Sequence, residues 1–278
     1  MSNCKGKPPH SKSATRRPKV NSNFVQKSGA VLGAVHKLFV PFVLFLVEAP
    51  HLDLSSNRAF LSTMAKHPSN WSKNGDVGHA WIYLQGEGVY LEGGHSGELG
   101  EKEPTYFDGI IHNVAKGDPN PVKYLWNSLP DGFFQWGSGG HRPTYAVAIP
   151  LNPAQFDQIV AFLQTYDYSR YSLTDHQCCT LIVQIAQLLN LQLDCKEVLK
   201  IESILHLMRE EIPLWCNSQY SCLTFESPDK LEKELQRLVR EKRATCALKW
   251  YQNHHPKQCS KELFSQFPRR YARWLYFR

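Results

Sequence analysis

The chain has 278 residues, 42% of them hydrophobic and 12% aromatic, enough for one sizeable domain with a real core and appendages. A mean hydropathy of −0.40 argues against a multi-span membrane protein. The net charge of +7 is uneven: residues 1–47 carry eight Lys/Arg and no Asp/Glu, and residues 229–278 carry thirteen Lys/Arg against five Asp/Glu, so an acidic body lies between basic ends. Such ends suit contact with an anionic membrane or a partner, and nothing in them specifies a nucleic acid.

In chain order, residues 1–36 read as a disordered basic arm or a targeting segment. The apolar run Leu38–Val47 is ten residues long, too short for a transmembrane helix, which needs about 20. Two readings of it stay open: a buried strand, or the apolar part of a signal peptide cut after Ala49. Arg58–Lys66 has the look of a short helix, and 67–76 of a polar loop. Gly78–Gln85 alternates and is followed by Gly86-Glu87-Gly88 and Val89–Leu91, which predicts a hairpin with a three-residue turn. Residues 95–140 read as an irregular insertion with one strand at Val122–Trp126.

Thr144–Ile149 predicts a strand and Pro153–Tyr166 a helix. Cys178–Leu191 predicts a helix apolar on most sides, and therefore buried. After 195 the chain reads as helical again, with Leu231, Leu235, Leu238 and Val239 on one face of 229–250. The division expected is 1–36 arm, 37–200 catalytic domain and 201–278 basic helical extension. Eight cysteines without repeated CxxC spacing point to reduced thiols. Cys216 with Cys222, or Cys246 with His254, His255 and Cys259, lack zinc-ligand spacing, so no metal is expected. Trp136–Gly140 lacks the Gly-Lys-Ser/Thr of a phosphate loop, and no cofactor is expected.

Cysteine catalysis needs an ionisable thiol, a base within reach and a group to orient that base. Thr174-Asp175-His176-Gln177 has the form of a capping box, which puts Cys178 in or beside the first turn of its helix. There the helix dipole favours a thiolate. His79 opens a strand and is the candidate base. Glu92, near the end of the hairpin's second strand, is expected at similar depth, where it could accept from the His79 ring. Cys179 is the alternative nucleophile and His95 the alternative orienter.

The block Tyr171-Ser-Leu-Thr-Asp-His-Gln-Cys178-Cys179-Thr180 resembles the Tyr-x-Leu-x-x-x-Asn-Cys-x-Thr block of permuted NlpC-type papain-like proteins. These include bacterial thiol amidases, the lecithin–retinol acyltransferase group and PPPDE-type deconjugating peptidases. Gly78-His79-Ala-Trp-Ile-Tyr resembles their His strand, and Leu91-Glu92-Gly93 falls where their third polar residue sits. The resemblance covers about residues 75–195. Gln177 departs from the usual Asn or Asp, and Asn190 stands where Gly often ends the helix. What the resemblance implies is an α+β, circularly permuted papain-like domain, with an antiparallel sheet and a buried Cys-bearing helix. It implies a thiol hydrolase acting on an amide, isopeptide or ester through a Cys178 acyl-enzyme. The substrate could be a peptidoglycan peptide, a protein conjugate or a lipid. A membrane-surface acyltransferase or esterase of the same fold, and a non-catalytic interaction protein with basic tails, remain alternatives. Cytoplasmic and secreted, effector-like settings both stay open.

Overall fold

The computed structural model describes residues 40–49, 52–64, 77–86, 89–97, 110, 113–130, 132–207 and 210–254. The expected arm 1–36, the loop 67–76 and the Arg/aromatic C-terminus lie outside the described residues. The chain is mixed α+β, as its pattern implies, and is built on a six-stranded sheet in the order β12-β6-β1-β2-β3-β5. Its strands are β1 (Phe42–Glu48), β2 (His79–Gly86), β3 (Val89–Gly97), β5 (Gly132–Trp136), β6 (Tyr145–Pro150) and β12 (Thr245–Cys246). Every neighbouring pair is antiparallel.

The run at 38–47 is explained by its place. β1 sits inside the sheet, between β6 and β2. Val43, Phe45 and Val47 face one core, and Phe42, Leu44 and Leu46 face the other. A strand covered on both faces has no solvent side, so it reads as a continuous apolar run rather than an alternation. No helix among the described residues is long and apolar enough to cross a membrane.

Helices α2 (Pro153–Thr165), α3 (Cys178–Leu188) and α4 (Pro228–Arg240) supply Ile159, Leu163, Ile182, Ile185, Leu231, Leu235 and Leu238 to the first core. The other face is closed by Ala247 and by Tyr251 of α5 (Leu248–His254). A separate cluster around Phe60, Leu125, Leu214 and Phe225 includes Phe60 of α1 (Asn57–Met64).

Four expectations are corrected. Val122–Trp126 is a 3₁₀ helix beginning at Pro121, whose ring favours a helical first turn over a strand ladder. The insertion is less irregular than expected: β3 runs on to Gly97, and β5 pairs with it. The short β4 (Ser128–Leu129) also pairs with β7 (Tyr171–Ser172). After 195 the chain forms strands before helices: β8 (Lys196–Lys200) pairs with β11 (Cys222–Glu226), and β9 (Ile204–Leu207) with β10 (Glu210–Pro213). Their exposed faces, alternating in burial along β8 and β11, are the period-2 signal that the charged composition hid. The β8–β11 ladder spans the expected boundary at 200/201, and β12 adds the extension to the main sheet. Finally, Gly86 pairs with Val89, so only Glu87 and Gly88 lie between the strands and the hairpin register is displaced from the three-residue turn expected.

The Cys helix ends as its sequence allows. Asn190 has φ 56°, and the bonds Leu191 N–H to Ala186 C=O and Asn190 N–H to Gln187 C=O close a Schellman motif. Asn therefore does here what Gly does more often.

Candidate active site

Cys178 is the first residue of α3, so it does lie in the first turn, but the expected capping box does not start the helix. A bridge between Ser172 and His176 closes residues 172–176 into a tight turn, and Thr174 spends its hydroxyl on Ser172, 3.0 Å away. Thr174 is therefore no cap. Gln177 is: its Oε1 accepts from the Cys179 N–H at 2.7 Å, while its Nε2 donates to the Glu226 carbonyl. The departure from Asn or Asp at 177 is accommodated by the longer side chain curling back onto its own helix. Its second bond ties the helix start to β11. Gln177→Ala is expected to cost about 0.5–2 kcal/mol for the cap alone, read as a lower urea midpoint at unchanged slope.

Cys178 is 4% exposed and Cys179 is fully buried. Their environments push them apart. Cys178 is held well below the ordinary cysteine range, first by a hydrogen bond from the Cys179 thiol, then by the hydrogen bond and charge of His79 and by the Ala80 N–H; burial works against these. Cys179 is pushed up, by burial first and then by Cys178. Burial also pushes Cys195 up. When protonated, the Cys178 thiol donates to Gln177 Oε1 at 3.2 Å. Its ionisation therefore gives up one bond and gains those from Cys179, His79 and Ala80.

His79 is the first residue of β2 and follows Gly78, whose φ of 86° turns the chain into the strand. A side chain at 78 would be strained there by about 1–2 kcal/mol. His79 is 4% exposed. Its Nε2 is buried and makes no hydrogen bond of good geometry among the described residues. The ring still lies close enough to lower the Cys178 pKa. A loose contact of this kind is common in a site without substrate.

The structure brings His79 to Cys178 and does not bring Glu92 to His79. Glu92 pairs with Tyr83, four residues along β2 from His79, or about 13 Å at strand rise. Its buried carboxylate accepts from Trp81 Nε1 at 3.1 Å and from the Tyr251 hydroxyl. Trp81 in turn stacks on His79, with centroids 5.7 Å apart and planes 13° apart. Glu92 thus reaches the histidine through an indole. The β2–β3 register is the cause: it sets Glu92 opposite Tyr83, on the same face of β2 as His79 but four residues along it.

His95 pairs with Phe134 in the β3–β5 register and is fully buried. Its Nδ1 is 3.1 Å from the Tyr166 hydroxyl, which is 3.4 Å from His176 Nδ1. Tyr171 packs its ring on His95, with centroids 5.2 Å apart. Burial, followed by the charge of His176, pushes His95 down to about 3. The unfolded chain, with an ordinary value near 6.5, then binds the proton that the folded chain refuses. Stability should fall as pH drops from about 6.5 towards about 3. A series of urea unfolding curves should show it, and His95→Asn, which cannot titrate, should flatten the dependence.

Sequence reasoning missed Glu48 and His141. Glu48 pairs with His79 across β1 and β2. The His141 ring lies 4.6 Å from the His79 ring, and its Nδ1 is 2.6 Å from Glu48 Oε2. Glu48 lay beside the possible cleavage point after Ala49, and His141 fell between the insertion 95–140 and the strand at Thr144. Only the register of the folded sheet joins them.

Among the described residues, no group of three or more His, Cys, Asp or Glu side chains is arranged to hold a metal ion, and Cys178, Cys179, Cys195, Cys216, Cys222 and Cys246 are free thiols. No protein-family model, curated protein or solved structure matches the chain.

Proposed function

We propose that the chain is a thiol hydrolase of the permuted papain-like kind, with Cys178 as nucleophile and His79 as general base. The observation that carries this reading is the contrast between adjacent thiols: Cys178, at the first position of a capped helix and beside His79, is held low, while Cys179 is held high. Perturbed groups of this kind concentrate at reactive centres.

The chemistry follows from the placement. His79 takes the Cys178 proton as sulfur attacks an acyl carbon. The carbonyl electrons move to oxygen, and the oxyanion lies near the start of α3, whose first-turn N–H groups other than that of Cys179, which is given to Gln177, have no acceptor within the helix. Collapse of the tetrahedral species breaks the bond to the amine or alcohol, which leaves with the proton from His79. The acyl group stays on Cys178 as a thioester. Water then adds with His79 again accepting a proton, a carboxylic acid departs, and the thiol is restored. The substrate class is an amide, isopeptide or ester. Glu92 has no direct part in proton transfer; it steadies Trp81, on which His79 stacks.

The reading is tested by offering the protein an activated acyl ester and mapping the adduct by peptide mass spectrometry. A thioester at Cys178 that decays in water, and fails to form in His79→Ala, is the expected result. Acylation scattered over the exposed Cys216 and Cys222, with none at Cys178, would refute it.

A further inference from the structure

The Cys178–His79 pair does not account for a histidine–carboxylate pair packed directly against it. Glu48 closes β1 and His79 opens β2, opposite one another, so both side chains leave the sheet on the same face. His141 comes from the loop before β6. That loop is fastened to the end of β1: the Thr144 N–H donates to the Val47 carbonyl at 2.8 Å, and Thr144 Oγ1 accepts from the Ala49 N–H at 3.1 Å. The His141 ring lies over His79 at 4.6 Å with a 30° tilt, and 6.4 Å from Trp81. His141 Nδ1 meets Glu48 Oε2 at 2.6 Å, and the two side chains keep 25% and 23% exposure, against 4% for His79. The pair therefore stands between the buried imidazole and solvent.

We propose that Glu48 and His141 are the positioning pair for His79, filling the role the sequence suggested for Glu92. This rests on the reading of Cys178 and His79 as the reactive pair. A histidine at the start of a strand can swing towards solvent; the His141 ring occupies that path, and Glu48 holds His141 there. The pair also balances its own charge: an imidazolium 2.6 Å from a carboxylate presents almost no net charge to His79. Removal of either partner leaves one uncompensated charge facing the base. The other titratable groups facing His79 are Cys178 from α3 and, at longer range, His95 from β3, with Glu92 behind Trp81.

The two members should consequently act with opposite sign, which a merely structural role would not produce. In the full-length protein with labelled histidines, NMR titration should show His141→Ala raising the His79 midpoint, because Glu48 is left alone. Glu48→Gln should lower it, because His141 loses its counter-ion. Each shift should be about half a unit or more, and Glu48→Gln with His141→Ala together should return close to the wild type. Glu48→Asp, which keeps the charge, should restore most of the wild-type behaviour. Alkylation of Cys178 should slow about tenfold in both single variants, a change of about 1.4 kcal/mol. If His141→Ala fails to fold, His141→Gln reads the same quantity, since it also leaves Glu48 uncompensated. Single variants that shift His79 in the same direction, or leave both its midpoint and Cys178 alkylation unchanged, overturn the proposal. An unreactive Cys178 in the wild type would sink the enzyme reading instead, while the histidine titration would still decide the pairing.

Discussion

Cys178→Ala is expected to lower acyl-ester turnover by about three orders of magnitude or more, while the protein still folds. Removal of a nucleophile forfeits the entire covalent route, and what persists comes from binding and from the oxyanion donors. The fold survives because only a sulfur is lost from the helix start, a change worth about 1 kcal/mol at a buried site. Cys178→Ser should be almost as inactive, since an alcohol beside the same imidazole ionises far less readily than a thiol. Cys179→Ala should behave differently. It should retain turnover at high pH yet move the onset of Cys178 reactivity upward, because Cys179 supplies the first of the hydrogen bonds that stabilise the Cys178 thiolate. Steady-state rates across pH for the three variants read this directly. Turnover kept in Cys178→Ala and lost in Cys179→Ala at every pH would reverse the assignment of the nucleophile.

Glu92→Ala is expected to destabilise the protein by about 2–5 kcal/mol. The substitution strips an acceptor from two buried donors, the Trp81 indole N–H and the Tyr251 hydroxyl. Each donor left unsatisfied costs about 1–3 kcal/mol. The pairing joins β2, β3 and α5, so its loss should also loosen the C-terminal helix from the sheet. Glu92→Gln keeps an acceptor oxygen and should cost less. Urea unfolding measures both. The distinction matters for function: a folded Glu92→Gln protein that retains most of its turnover fits an anchor for Trp81. One that loses as much turnover as His79→Ala, at undiminished stability, would make Glu92 the orienter after all.

Much of the frame was legible in the sequence because its signals are local. The hairpin, the strand at Thr144–Ile149, α2 and the apolar Cys helix each carry their own periodicity, and the side chain at 190 announced a helix end. Leu231, Leu235 and Leu238 gave away the buried face of α4. Cys178 and His79 were legible for the same reason: each sits at the start of a recognisable element. What stayed hidden depends on pairing over long separations. Gln177 caps through a side chain that bends onto its own helix, a geometry that the stronger Thr174-x-x-Gln177 pattern masked. The strands of 196–226 are short, charged on their open faces and paired only with each other. Glu48 and His141 are 93 residues apart and become neighbours only once β1 lies between β2 and β6. The β1–β2 register sets Glu48 opposite His79, and the β2–β3 register sets Glu92 opposite Tyr83, so two separate pairings decide which carboxylate lies near the histidine.

Competitive alkylation of the native protein by a trace of iodoacetamide, from pH 5 to 10, with each cysteine read by peptide mass spectrometry, tests whether Cys178 is the thiol that His79 activates. Cys178 should react through a midpoint below the ordinary cysteine value of about 8.5, and His79→Ala should move this midpoint upward, while Cys179 and Cys195 stay protected. Cys178 labelling no earlier than Cys179, and insensitive to His79→Ala, would contradict that activation.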